Sequence, residues 1–83
     1  MRPDDIVEML REKPFRPFRI YLSDGSVYEI RHAELAKVGR SKVLMFFPVV
    51  DEPFAVFERY VPVSLLHITR LEPVPLPAEA ASA

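Results

Sequence analysis

The stretch from Ile20 to Ile30, IYLSDGSVYEI, constrains the fold of this chain more than any other feature. Two runs of alternating side chains flank an S-D-G segment, and this pattern predicts a β-hairpin. A two-residue D-G loop would place Ile20 opposite Glu29. An apolar and a charged side chain would then share one face of the sheet, which argues against that loop.

A three-residue S-D-G loop gives a different register. Gly25 would adopt the left-handed conformation as a bulge, Ile20 would pair with Tyr28, and Phe18 would pair with Ile30. One face of the hairpin is then apolar. A slip by one residue would turn that whole face to solvent, so one-sided burial fixes the register. We therefore predict the three-residue loop.

The rest of the chain predicts a small mainly β domain. We expect a helix that begins at Pro3 and ends before Pro14, further strands at residues 42–50, 54–61 and 67–72, and a helical turn at residues 62–66. The strands are short, and two of them are apolar on both faces. They predict an N-terminal α-helix followed by a small five-stranded, strongly bent antiparallel barrel of the SH3-like kind. Residues 1–73 would form this single domain, and residues 74–83 a flexible tail rich in proline and alanine.

Composition excludes several classes of protein. The chain has 83 residues and no cysteine, so disulfides and thiolate metal sites are absent, and oligomerisation is the remaining way to support a small core. The formal net charge of −1 argues against a strongly basic nucleic-acid binder. No apolar run is long enough to span a membrane, and the acidic N-terminal segment is unlike a signal peptide. We expect a cytoplasmic protein.

The sequence offers no arrangement typical of an active site. The segment from His32 to Glu34 matches the H-x-E fragment of zinc deaminases, but those sites also need cysteines. Ser64 lacks the G-x-S-x-G context of a nucleophile, and two glycines cannot build a phosphate-binding loop. We expect Tyr28 and Tyr60 to lie in the core and not to serve as stacking surfaces for bases. We expect no catalysis, no cofactor, no metal and no small-molecule substrate.

Charged residues are distributed unevenly along the chain. An acidic block contains Asp51, Glu52 and Glu58. Two basic clusters could contact phosphates, and the candidate nucleic-acid ligands in them are Arg16, Arg19, Arg31, Lys37, Arg40 and Lys42. Three interpretations stay open: a mixed solvated surface, charge-paired self-association, and an anion-binding face.

Two segments resemble the Sm-like fold family, and most of all its bacterial Hfq-type branch of RNA chaperones. These are IYLSDG at residues 20–25 and ITRLEP at residues 68–73, together with the N-terminal helix and the long apolar middle strand. The resemblance implies that subunits build a homo-oligomer by pairing edge strands. Residues 43–47 or 54–61 would supply that edge.

The chain also departs from the family pattern. Ile30 occupies the position of the glycine at which Sm-like proteins bend their second strand. Of the Y-K-H motif that contacts RNA in the Hfq-type branch only Tyr60 is present, followed by Val61 and Pro62. No RNA-contacting residue is carried over. We expect a non-catalytic, self-associating binding module, with RNA as one partner. The alternative is a protein–protein or regulatory adaptor module with no nucleic-acid role.

Overall fold

The computed structural model describes residues 1–52 and 56–75. It contains one helix, α1 (Pro3–Arg11), and six strands: β1 (Phe18–Leu22), β2 (Val27–Ile30), β3 (Ala36–Val38), β4 (Lys42–Pro48), β5 (Phe57–Ser64) and β6 (Ile68–Pro73). Two 3₁₀ turns lie at Ala33–Leu35 and Leu65–His67. The strands form two antiparallel sheets, in the orders β2-β1-β6 and β3-β4-β5. The described chain is thus mainly β with an N-terminal helix, as predicted.

The register of the first hairpin is the predicted one. Phe18 lies opposite Ile30 and Ile20 lies opposite Tyr28. Phe18 and Ile20 are fully buried, and Ile30 is nearly so. The apolar side chains of β1 and β2 therefore share one covered face, which is the condition that selected this register from the sequence.

The loop of this hairpin has the predicted geometry. Gly25 has a φ of +91°, in the left-handed region that favours glycine. Its N–H donates to the Leu22 carbonyl at 3.0 Å, and the Leu22 N–H donates to the Ser26 carbonyl at 2.9 Å. The Asp24 carboxylate accepts the Ser26 N–H at 2.8 Å. Hydrogen bonds from the backbone and then the hydroxyl of Ser26 lower the pKa of Asp24 below its ordinary value.

The strand count differs from the prediction. Residues 36–38 form a sixth strand because they pair with β4 across a short turn, in which the Gly39 N–H donates to the Lys42 carbonyl at 2.8 Å. Within residues 1–52 and 56–75, no strand ladder joins the two sheets, so the predicted five-stranded closed barrel is not confirmed. The helical turn predicted at residues 62–66 begins later, at Leu65, because β5 continues through Pro62. Proline is tolerated there because β5 is an edge strand.

The core collects side chains from both sheets and the helix. Ile6 of α1 is fully buried, and Met9 and Leu10, from the same predicted stripe, pack against the core. The largest fully buried side chains are Phe18, Ile6, Ile20, Ile30, Met45 and Val43. No helix in the described ranges is long and apolar enough to cross a membrane.

Hydrogen bonds hold the C-terminal segment in place one residue beyond the predicted end of the domain. β6 ends at Pro73, and Val74 is the first residue of the predicted tail. The Val74 N–H donates to the Pro17 carbonyl at 2.9 Å, and the Arg16 guanidinium donates to the Val74 carbonyl from two nitrogens, at 3.3 and 3.4 Å. Val74 therefore belongs to the folded part. Pro75 is exposed, and residues 76–83 of the predicted tail lie outside the described residues.

Candidate interaction surface

One face of the second sheet points away from the core. Along β4, Val43 and Met45 are buried and lie opposite Val63 and Val61 of β5. The residues between them alternate to the other side, because successive side chains of a strand point to opposite faces. We call this side the outer face; it comprises Lys37, Lys42, Leu44, Phe46, Phe57, Tyr60 and Pro62. Leu44 and Phe46 are half-buried, so this face of β4 is only partly covered by the described chain.

Three aromatic rings form the centre of the outer face. The Phe46 ring lies 5.1 Å from the Phe57 ring in an edge-to-face arrangement and 6.0 Å from the Tyr60 ring. Phe57 and Tyr60 are 51% and 57% exposed. Tyr60 was expected in the core, and this expectation is wrong, because its position opposite Phe46 turns it outward. Tyr28, expected in the core as well, does pack against it, with its ring 5.7 Å from that of Phe47.

β5 is an edge strand of its sheet. The order β3-β4-β5 gives β5 a neighbour on one side only, while β4 has neighbours on both. Of the two predicted edges, residues 43–47 are therefore excluded, because they lie in the central strand. Of the other predicted edge, residues 57–61 belong to β5 and lie on the edge of the sheet. Residues 54 and 55 fall outside the described ranges.

Exposed apolar residues concentrate at this edge. Among the described residues, seven large hydrophobic side chains are strongly exposed. Five of them belong to β5 or to the loop before it: Val49, Val50, Val56, Phe57 and Tyr60. The other two, Val27 and Leu66, lie elsewhere on the chain. Scattered exposed hydrophobic residues are normal, but a contiguous group indicates an interaction surface.

Three of the six predicted phosphate ligands are engaged within the chain. Arg16 binds the Val74 carbonyl, as described above. Arg19 forms an ion pair with Glu29 at 3.4 Å. Side-chain hydrogen bonds with Tyr21, the larger cause, and with Glu29 raise the pKa of Arg19 above its ordinary value. Arg31 contacts Glu29 at 3.0 Å and Asp51 at 2.8 Å. These contacts compete with phosphate binding.

The other three predicted ligands lie together on the β3–β4 hairpin. Lys37, Arg40 and Lys42 are exposed and make no ion pair with any residue in the described ranges. Lys37 and Lys42 belong to the two strands of the hairpin, and Arg40 lies in its turn. The structure thus divides the predicted basic face into an engaged group and an available group.

The acidic block lies at the opposite end of the β4–β5 pair. Asp51 is held by Arg31 and by the His32 imidazole at 3.1 Å. Glu52 and Glu58 are exposed and form no ion pair with a described residue. The pair of strands is therefore basic at the Lys42 end and aromatic in the middle. The other end carries Glu52 and Glu58 together with the exposed Arg59, so it is weakly acidic.

The pockets on the described surface are open to solvent. A depression of about 540 Å³ between the first hairpin and the end of β5 is lined by Asp24, Tyr28 and His67 among others, and it is open to solvent. Among the described residues, no three histidine, aspartate or glutamate side chains are grouped so that they could hold a metal ion.

Sequence reasoning missed the exposed aromatic cluster, although one signal for it was available. Pro62 follows a segment with bulky residues on both faces, and a proline within a strand indicates an edge. An edge strand in a small domain has few neighbours to cover its second face. No protein-family model, no curated protein and no solved structure matches this chain, so the functional interpretation of this surface depends on its geometry.

Proposed function

We propose that this chain is a non-catalytic, self-associating binding module, whose copies meet through β5 and the outer face. One observation carries the proposal: the edge of β5 that faces away from β4 has no neighbouring strand among the described residues, and β5 exposes Phe57 and Tyr60. An unpaired edge presents free N–H and C=O groups that another strand can satisfy. Natural proteins protect long edges with charges, prolines or covering loops. β5 has such protection at Glu58, Arg59 and Pro62, but Phe57 and Tyr60 stay exposed beside these residues.

The expected gain from covering the two aromatic side chains is appreciable. Complete burial of a large apolar side chain contributes about 1.5–3 kcal/mol, so covering a half-exposed ring contributes about 1 kcal/mol. A pair of copies covers four such rings, for about 4 kcal/mol before the cost of association. Strand pairing would add backbone hydrogen bonds. Because association itself costs about 4–15 kcal/mol, these terms together predict a weak, concentration-dependent association.

We extend the proposal to the fold, as a strongly bent barrel of the Sm-like or SH3-like kind. Three features support it. β1 pairs with both β2 and β6, so the first and last strands are neighbours, as barrel closure requires. A 3₁₀ turn directly precedes β6, and a helix precedes β1. The two three-stranded sheets would be the two halves of this barrel.

Light scattering over a dilution series tests self-association. We expect the wild-type chain to show a multiple of its 9.6 kDa mass and to dissociate on dilution. The double variant Phe57→Ser with Tyr60→Ser should shift towards the monomer. Val27→Ser is the matched control, because Val27 is 48% exposed on a different sheet. A wild-type chain that is monomeric at every concentration contradicts the proposal, and a foreign protein that binds the wild type but not the double variant then favours the adaptor alternative.

RNA binding is a second candidate, favoured by the three available cations Lys37, Arg40 and Lys42. With three phosphate contacts on a single strand, log affinity should fall by about 2 for each tenfold rise in salt. In a filter-binding assay, we expect the wild-type chain to retain poly-uridine or poly-adenine. Replacement of all three residues by glutamate should abolish this retention. The control variant, Arg19→Gln with Arg31→Gln, should retain binding. Failure of the wild type to retain either polymer at low salt excludes this candidate.

A further inference from the structure

We infer that two copies of this chain pair β5 with β5, antiparallel, across a two-fold axis near Tyr60. The result is one continuous six-stranded sheet, in which the two outer faces adjoin. This inference rests on the proposed self-association and specifies its geometry. It differs from the ring assembly that the Sm-like resemblance implies, in which each subunit offers two different edges.

The choice of partner edge follows from the four edges of the two sheets, namely β2, β3, β5 and β6. β6 exposes Arg70 and Glu72, which pair with each other at 3.4 Å. β3 is three residues long with Lys37 at its centre, and the exposed apolar residue of β2 is Val27. Only β5 combines length with exposed aromatic rings. Like β6, β5 carries one acidic and one basic residue, Glu58 and Arg59, but it also exposes two aromatic rings. These rings are best covered by apolar side chains, and here the same surface on a second copy supplies them.

Charge favours one direction of the strands. Lys42 lies at one end of the β4–β5 pair, close in sequence to Arg40 in the β3–β4 turn. Glu52 and Glu58 lie at the other end, where Arg59 offsets one of their two charges. Antiparallel pairing places the basic end of each copy beside the acidic end of its partner, on both sides of the axis. Parallel pairing would place like charges together. At separations comparable with the Debye length of about 8–10 Å, this difference still biases the association.

The position of the axis follows from two residues of β5. If the axis passed at Arg59, the two Arg59 side chains would lie directly opposite each other, which is destabilising for like charges. If it passes at Tyr60, Arg59 lies opposite Val61 and the two tyrosine rings become neighbours. Pro62 then lies opposite Glu58, and its missing N–H removes one ladder hydrogen bond from each copy. The axis at Tyr60 therefore avoids the larger penalty.

Disulfide trapping tests this geometry, because the chain has no cysteine of its own. Directly opposite residues of an antiparallel pair have Cα atoms about 4.5–5.5 Å apart, within the range that a disulfide spans. Only a residue near the two-fold axis meets its own copy. We expect Tyr60→Cys to convert from monomer to covalent dimer under oxidation. Arg70→Cys, exposed on the β6 edge, is the control and should stay monomeric on a non-reducing gel.

The outcomes separate this inference from the proposed function. A mixture in which Tyr60→Cys crosslinks to Arg70→Cys, but not to itself, shows a β5–β6 ring contact; it overturns the inference and retains self-association. A wild-type chain that is monomeric by light scattering overturns both. If reduced Tyr60→Cys no longer associates, a mixture of Glu58→Cys and Pro62→Cys is used, which leaves Tyr60 in place. We then expect crosslinks between the two variants, and their absence overturns the inference.

Discussion

Replacing Gly25 by alanine should destabilise the chain through the backbone alone. Gly25 has a φ of +91°, and a Cβ added there meets no atom within 4 Å. The change therefore introduces strain without a steric clash. The left-handed conformation costs an L-residue about 1–2 kcal/mol. Reduced freedom of the unfolded chain offsets about 0.4–1 kcal/mol of this. We expect the free energy of unfolding to fall by about 1 kcal/mol, or about 4–8 °C in Tm for a domain of this size.

Urea and thermal unfolding, followed by far-UV circular dichroism, measure this difference. All variants are compared at one protein concentration, because self-association would shift apparent stability. The matched control is D-alanine at position 25, introduced by chemical synthesis, because a D-residue favours a positive φ; it should not destabilise the chain. If L-alanine at position 25 costs no more than D-alanine there, the left-handed loop is refuted.

Further predictions concern the core, the loop and the ion pairs. Met45→Ala should lower the free energy of unfolding by about 2–5 kcal/mol in urea titrations, because Met45 is fully buried; a loss below 1 kcal/mol would contradict its place in the core. Asp24 has a lowered pKa, so wild type should exceed Asp24→Asn in stability above the ordinary carboxyl pKa of 3.8, and the difference should vanish as pH falls through the lowered value; a difference constant from pH 7 to pH 2 would contradict this. Asp51→Asn should change stability by about 0.2–1 kcal/mol, because its contacts with Arg31 and His32 are exposed. A larger change would show that this contact orders the loop after β4.

The first hairpin could be predicted because its determinants are local. The turn chemistry of Gly25 and the alternation of Phe18, Ile20, Tyr28 and Ile30 lie within a short segment and admit one register with an apolar face. The helix stripe around Ile6 is local in the same way. Such features depend on neighbours in sequence, which the sequence displays directly.

The faces of the second sheet could not be assigned by the same reasoning. Alternation along β4 shows that Val43 and Met45 share a face, and that Leu44 and Phe46 share the other. It does not show whether a second layer covers that other face, because covering depends on elements distant in sequence. The core location expected for Tyr60 failed for this reason.

The six basic candidates posed a related problem. By residue type and clustering alone, Arg31 and Lys42 are equivalent candidates. In the folded chain Arg31 contacts Asp51, which is distant in sequence, whereas Lys42 forms no ion pair with a described acidic residue. Ion pairs between distant segments appear only when the chain is folded. The Sm-like resemblance stays a prediction, because the described strands form two three-stranded sheets with no ladder between them.

Backbone hydrogen exchange, measured by NMR at two protein concentrations, tests the central claim most directly. If copies meet through β5, amides of Phe57–Ser64 that point to the free edge should be protected at high concentration and should exchange rapidly on dilution. Amides on the free edge of β6 should exchange equally fast in both samples. Rapid exchange of the β5 edge at both concentrations, with an unchanged monomeric mass, would contradict the claim that a second copy covers this strand.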